Sequence, residues 1–216
     1  LRALSLLDVI SGQIATFTLP INIPGTTYPL RWSSDGMSVI VDGAADGSLG
    51  VFRIDARSGE TSRLMTKLTG GRGGGAIFSP DGTRAFYAAS VPSRTGESGA
   101  ASRVGVVFVR DPNSEREEEL YRNSELGFIS GAIAMSRDGK SLAISHSSTG
   151  AAGSASVLKL LSVSDRTSRE IFRTEPKQNI GGIAWMPGDN TLAISVRASS
   201  ATGMVSTTKM IFSFGS

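Results

Sequence analysis

Consecutive apolar residues mark this chain more than strict alternation does. Val39, Ile40 and Val41 follow one another, as do Leu142, Ala143 and Ile144, and a similar run stands at Thr191-Leu192-Ala193-Ile194-Ser195. Short runs of this kind, rich in β-formers and bounded by Gly, Asp and Ser, predict β-strands. A sheet with one wet face needs apolar residues only at every second position, so these runs predict strands covered on both faces.

The runs follow a recurring turn. Leu30-Arg31-Trp32-Ser33-Ser34-Asp35-Gly36 returns as Ala76-Ile77-Phe78-Ser79-Pro80-Asp81-Gly82 and as Ile133-Ala134-Met135-Ser136-Arg137-Asp138-Gly139, and in drifted form as Ile183-Ala184-Trp185-Met186-Pro187-Gly188-Asp189. Trp32, Phe78, Met135 and Trp185 stand 46, 57 and 50 positions apart, a spacing near that of repeat folds built from four-stranded units. Gly accepts positive φ and Asp hydrogen-bonds the turn backbone, so each copy predicts a hairpin in which the Asp forms the turn rather than serving a metal or a reaction. A second string, Leu7-Asp8-Val9-Ile10-Ser11-Gly12-Gln13 and Ile54-Asp55-Ala56-Arg57-Ser58-Gly59-Glu60, predicts a second hairpin per repeat. Asp111-Pro112-Asn113-Ser114-Glu115 and Val163-Ser164-Asp165-Arg166-Thr167 replace it in later copies.

Four antiparallel strands with two apolar faces must be covered by neighbouring copies. Radial stacking does this while leaving few open edges. The predicted fold class is therefore all-β, a β-propeller of four-stranded antiparallel blades, in one domain or fragment spanning 1–216. Whole blades are placed at 24–66, 72–121 and 128–174, with partial blades at 1–20 and 178–216. The first partial blade supplies strands C and D and the last supplies A, B and C, which do not combine into one tidy blade, so an incomplete ring is expected. Trp32, Phe78, Met135 and Trp185 are assigned to packing between blades rather than to an aromatic cage.

Phe78-Ser79-Pro80-Asp81-Gly82-Thr83, followed by an apolar strand, resembles the TolB-like, or WD40-like bacterial, propeller repeat. The resemblance covers nearly the whole chain and implies the propeller fold, in a family that spans periplasmic scaffolds, peptidase-associated propellers and extracytoplasmic sensor domains, so that an extracytoplasmic location is favoured. Arg137 stands where that motif carries Pro, and the last copy shifts to Pro187-Gly188-Asp189. The eukaryotic WD repeat fits less well, because no Trp-Asp dipeptide occurs.

Composition adds little to this picture and removes several functions. The 26 Gly and 8 Pro supply turns, while 39% hydrophobic residues supply a core. A net charge of +3, from 22 basic and 19 acidic residues spread along the chain, gives no support to nucleic-acid binding. No apolar run reaches the roughly 20 residues of a membrane-spanning helix, so no membrane insertion is expected. Without cysteine there are no disulfides, thiol nucleophiles or thiolate metal sites. The chain opens at Leu1 rather than Met, which suggests processing, truncation or excision from a longer protein.

With one histidine, the usual triads and zinc sites lose their commonest members, so no catalytic residue, metal or cofactor is assigned and the chain is expected not to be an enzyme. His146 is placed at the end of a strand B and read as a loop residue. Gly70-Gly71-Arg72-Gly73-Gly74-Gly75 lacks the Lys-Ser/Thr and following helix of a phosphate loop, and is read as a connection between blades. Solvation of an outer strand explains Glu115-Arg116-Glu117-Glu118-Glu119 better than an acidic docking strip does. Long Gly-, Ser- and Ala-rich B–C loops are predicted at Val91–Ser102, Ser147–Ser156 and Ala198–Ser206. Long loops on a rigid scaffold carry binding, so Tyr28, Arg72, Phe128 and Asn179, near the starts of the A strands on that face, are the candidate contacts for a protein or peptide partner. The expected function is a non-catalytic interaction or sensing scaffold. The alternative is the gating propeller of a larger serine peptidase or hydrolase whose catalytic domain lies outside these residues. A propeller enzyme with a metal in its channel would need convergent ligands at equivalent blade positions, which the sequence does not supply.

Overall fold

The computed structural model describes residues 3–23, 30–33, 35–66, 76–93, 103–114, 116–123, 129–150, 153–186, 191–200 and 203–212, with backbone alone for 129–132, 148–150, 153–154, 199–200 and 203–212. Two compact units divide them: Leu1–Gly70 with Pro112–Glu115, and Gly71–Asp111 with Arg116–Ser216.

The first unit holds a two-stranded sheet, β1 (Ala3–Leu7) with β2 (Ile14–Thr18), and a four-stranded antiparallel sheet in the order β3 (Arg31–Trp32), β4 (Ser38–Ala45), β5 (Ser48–Asp55) and β6 (Thr61–Thr66). The second unit holds two further four-stranded sheets. One runs β7 (Ile77–Phe78), β8 (Ala85–Pro92), β9 (Arg103–Arg110), β10 (Glu117–Arg122); the other runs β11 (Ile129–Met135), β12 (Ser141–Gly150), β13 (Gly153–Ser162), β14 (Ser168–Arg173). A three-stranded sheet of β15 (Gln178–Trp185), β16 (Thr191–Ser200) and β17 (Gly203–Phe212) follows. Within every sheet, chain neighbours pair antiparallel. The described residues are all β in several four-stranded sheets, as the sequence predicts.

The repeated motif is a hydrogen-bonded device. Ser33 Oγ donates to Asp35 Oδ1 at 2.5 Å, Met37 N–H donates to the same oxygen at 2.9 Å, and Ser38 N–H returns to Ser33 Oγ at 3.0 Å. Ser79 with Asp81, and Ser136 with Asp138, repeat the arrangement at 2.5 and 2.7 Å. Gly36, Gly82 and Gly139 turn the corner at φ of 70°, 71° and 73°, where a Cβ is strained. Ser, Asp and Gly thus each do one job in the A–B turn. Asp8 and Asp55 do likewise at the C–D turns, taking backbone N–H groups of Ile10 and Ser11 and of Arg57 and Ser58.

Stacking is visible inside each unit. In the first, Leu4 of β1 and Val39, Val41, Phe52 and Ile54 of the neighbouring sheet share one core with Leu19, Ile21 and Ile23, and Phe17 packs against it. In the second, β12 is covered on both sides. Leu142 and Ile144 join Ile77, Phe86, Ala88, Val107 and Leu120 of the preceding sheet. The intervening Ala143 joins Leu158 and, from the following sheet, Ile180, Leu192, Ile194 and Val196. Adjacent residues point to opposite faces of a strand, which is why the apolar run is continuous.

Four expectations change. Two of the predicted B–C loops are ladders: Ser147 pairs with Ser156 and Gly150 with Gly153, and Ala198 pairs with Val205 and Ser200 with Gly203. Small polar residues read as loop by composition, but antiparallel pairing satisfies their backbone groups out to a two-residue connection. His146 lies within β12, wholly buried, with Asn123 Nδ2 3.3 Å from its Nδ1. Trp32 is 59% exposed, whereas Trp185 packs against the second-unit core and donates from Nε1 to Ala134 O of the preceding sheet at 3.2 Å. The acidic run is not merely solvated, since Glu118 pairs with Arg166 of the next sheet at 2.5 Å and Glu119 pairs with Arg122.

Candidate partner-binding face

Equivalent positions can be counted from the bond that closes each A–B hairpin, made by the carbonyls of Ser38, Arg84, Ser141 and Thr191. Six residues further along the second strand of each sheet stand Ala44, Ser90, Ser147 and Arg197. These positions lie toward the B–C end, opposite the starts of the A strands.

Asn179, one of the four sequence-predicted contacts, is exposed on β15 and sits directly opposite Arg197. Tyr28, Arg72 and Phe128 fall outside the described residues, as does Gly70–Gly75. In the first unit the residue opposite Ala44 is Asn22, in a two-bond bridge with both N···O distances 2.9 Å. Asn22 therefore holds the position that Asn179 holds in β15, and the sequence search, which started strand A later, passed over it. Its signal was the alternation Ile21-Asn22-Ile23, and both isoleucines are buried.

Two cations beside Asn179 were also missed. Arg197 is exposed, and its guanidinium lies against the bare backbone of Gly181, where an added Cβ would fall 2.6 Å from Nε and 2.9 Å from Cζ. Gly181 sits where the β15–β16 register shifts, between Ile180 and Gly182. Lys177 is exposed in the turn Glu175-Pro176-Lys177-Gln178, closed by Gln178 N–H donating to Glu175 O at 3.1 Å. Lys177 has φ of 65°, the left-handed conformation that glycine ordinarily takes at the third position of a turn with proline at the second. Arg197 is the sole charged residue from Thr191 to Thr208, which is the signal the sequence offered.

Other charges are engaged by the fold. Hydrogen bonds hold the Asp81 carboxyl down to about 2, Ser79 Oγ being the main cause, and lower Asp35 through Ser33 and Asp138 through the Lys140 amide. Arg31 is pulled down by burial, with the Asp42 charge opposing. Arg166 lowers Glu118. Among the described residues, no three His, Asp or Glu side chains are grouped so that they could hold a metal ion.

Antiparallel sheets, mostly of four strands, that stack through apolar faces within each unit are the blades of the propeller class. The chain has a TolB-like β-propeller fold. It is similar to TolB from Acinetobacter baumannii (TM-score 0.62, 15% identity, covering 95% of this chain and 48% of that one). A putative TolB from Agrobacterium tumefaciens is similar at TM-score 0.59 and 14% identity, over 100% of this chain and 70% of that one. An oligogalacturonate lyase from Vibrio parahaemolyticus is similar at TM-score 0.57 and 14% identity, over 96% and 58%. The chain thus spans about half the length of the TolB from Acinetobacter baumannii. No family model and no curated protein matches its sequence.

Proposed function

We propose that this chain is a non-catalytic propeller scaffold that docks a protein or peptide partner on the face formed by the starts of its A strands and the B–C hairpins, outside the cytoplasm. One observation carries the reading. At a position where the other sheets carry Ala44, Ser90 and Ser147, the last carries an exposed arginine opposite an exposed asparagine. The fold does not require that arginine, since three sheets form without one, so its use is sought at the surface. TolB-like similarity supports the scaffold, and the strand pairing of two B–C hairpins supports pre-organised binding, which avoids the entropy of ordering loops.

The test is a fourfold alanine variant at Tyr28, Arg72, Phe128 and Asn179, compared with wild type for capture of a partner from the source organism's extract, each protein first shown to unfold cooperatively. Loss of the captured species is expected. Capture at wild-type level would remove the face from the proposal, and turnover of a polyuronide or peptide substrate by the purified chain would remove the non-catalytic reading.

A further inference from the structure

Lys177, Asn179 and Arg197 come together at the start of β15, and the chain accepts two local costs to present the cations there. Lys177 adopts a left-handed φ of 65° that a glycine would adopt without a Cβ clash. Position 181 gives up its side chain so that the Arg197 guanidinium can lie across the strand, 2.6 Å from where a Cβ would stand. Neither cation makes an ion pair among the described residues. Glu175, two residues before Lys177, pairs with neither. By contrast Arg122, Arg166 and Arg173 each pair with a glutamate, Arg53 with Asp35, and Arg63 and Arg103 donate to serine hydroxyls. The buried side of the same strand, at Ile180, faces the core, so nothing in the packing asks for charge on the exposed side.

We propose that these three residues bind an acidic peptide segment carrying neighbouring carboxylates. The inference rests on the docking-face reading above and names the chemistry of its partner. A guanidinium offers two parallel N–H donors that match one carboxylate, and the ammonium of Lys177 supplies a point charge for a second. Arg197 lies directly opposite Asn179 on the facing strand and Lys177 two residues before it, at most about 7 Å along the chain, so both cations border the Asn179 amide. The Asn179 amide, carrying both donor and acceptor, suits the peptide group between them.

The experiment is fluorescence anisotropy with fluorescein-labelled hexaglutamate on the whole chain, with hexaglutamine and a six-nucleotide oligothymidylate as comparison probes. Hexaglutamate is expected to bind saturably, hexaglutamine not to bind, and oligothymidylate to bind more weakly than hexaglutamate. Arg197→Gln is expected to weaken hexaglutamate about tenfold, the loss of one charge-assisted contact. Gly181→Ala, which keeps the charge but displaces the guanidinium, is expected to weaken it as well. Lys177→Gly is the decisive variant. It relieves the strained φ, so the thermal midpoint is expected to stay level or rise while binding falls, an outcome that misfolding cannot imitate. Unchanged hexaglutamate affinity in both Arg197→Gln and Lys177→Gly would overturn the proposal, as would tighter binding of oligothymidylate. Absence of hexaglutamate binding, with partner capture still lost in the fourfold alanine variant, would retire the acidic-peptide site and leave the docking face standing.

Discussion

Two glycines in one kind of turn separate backbone strain from packing between sheets. Gly12 and Gly59 close the same C–D turn, at φ of 72° and 74°, each N–H donating to the carbonyl of the turn's aspartate. An alanine pays the left-handed penalty at either site, about 1–2 kcal/mol. Only their surroundings differ. A Cβ at Gly12 meets nothing within 4 Å, whereas at Gly59 it would lie 2.5, 2.7 and 2.9 Å from Cδ1, Cγ and Cβ of Phe17, on the neighbouring two-stranded sheet. Rotating the ring moves Cδ1 but leaves the Phe17 Cβ in place, so the sheets themselves must separate. Overpacking of that kind costs about 1–3 kcal/mol more. Gly12→Ala is therefore expected to lose about 1–2 kcal/mol in urea unfolding followed by tryptophan fluorescence, and Gly59→Ala a further 1–3 kcal/mol, about the overpacking cost. In a Phe17→Ala background the Gly59→Ala penalty should fall toward that of Gly12→Ala, because the ring is gone and only the Cβ contact at 2.9 Å remains. Equal penalties at the two glycines, within about 0.5 kcal/mol, would refute the stacking of β1–β2 on the β3–β6 sheet.

Trp185→Phe removes the indole donor to Ala134 O and is expected to cost about 1 kcal/mol, while Trp32→Phe, at an exposed side chain, is expected to be near neutral; thermal midpoints read both. The Glu118–Arg166 pair is half exposed on both sides, so a double-mutant cycle should return no more than about 1 kcal/mol, falling with added salt. Asp81, whose carboxyl is lowered from 3.8 to about 2, contributes stability that is present above the unfolded value and lost as pH falls through the folded one. Wild type should thus lose stability as pH falls from about 4 toward 2, and Asp81→Asn should show a shallower slope across that window in acid titrations followed by circular dichroism.

The propeller was legible because its two signals are local and repeated. Ser33, Asp35 and Gly36 each have one task in the turn, so the motif survives as Ser79-Asp81-Gly82 and Ser136-Asp138-Gly139. The apolar run Leu142-Ala143-Ile144 reports two covered faces directly. What failed had no such signature. Ser147–Ser156 reads as loop because its residues are small and polar, yet pairing in a ladder depends on the facing strand, which composition does not reveal. His146 was assigned to a loop by proximity to that stretch, and its burial is set by the Asn123 segment of another sheet. Trp32 and Trp185 occupy the same motif position and differ in exposure, because the carbonyl that Trp185 meets belongs to the preceding sheet's A strand, and β1–β2 has only two strands. Of the candidate face, Asn179 was chosen from loop position; Lys177 and Arg197 were not, since the left-handed φ and the space over Gly181 exist only in three dimensions.

Stacking on both faces of β12 is the point on which the rest depends, and a single substitution series addresses it. Leu142, Ala143 and Ile144 are wholly buried, the outer two against the preceding sheet and the middle one against the following sheet. Aspartate at each position in turn, measured by urea unfolding of the second unit's signal from Trp185, would bury an unpaired carboxyl at a cost of several kcal/mol, a large part of a domain's stability. All three variants are expected to lose cooperative unfolding. Ala143→Asp unfolding with the wild-type midpoint, while Leu142→Asp and Ile144→Asp do not, would show that one face of the strand meets water and would contradict the stacked-sheet fold.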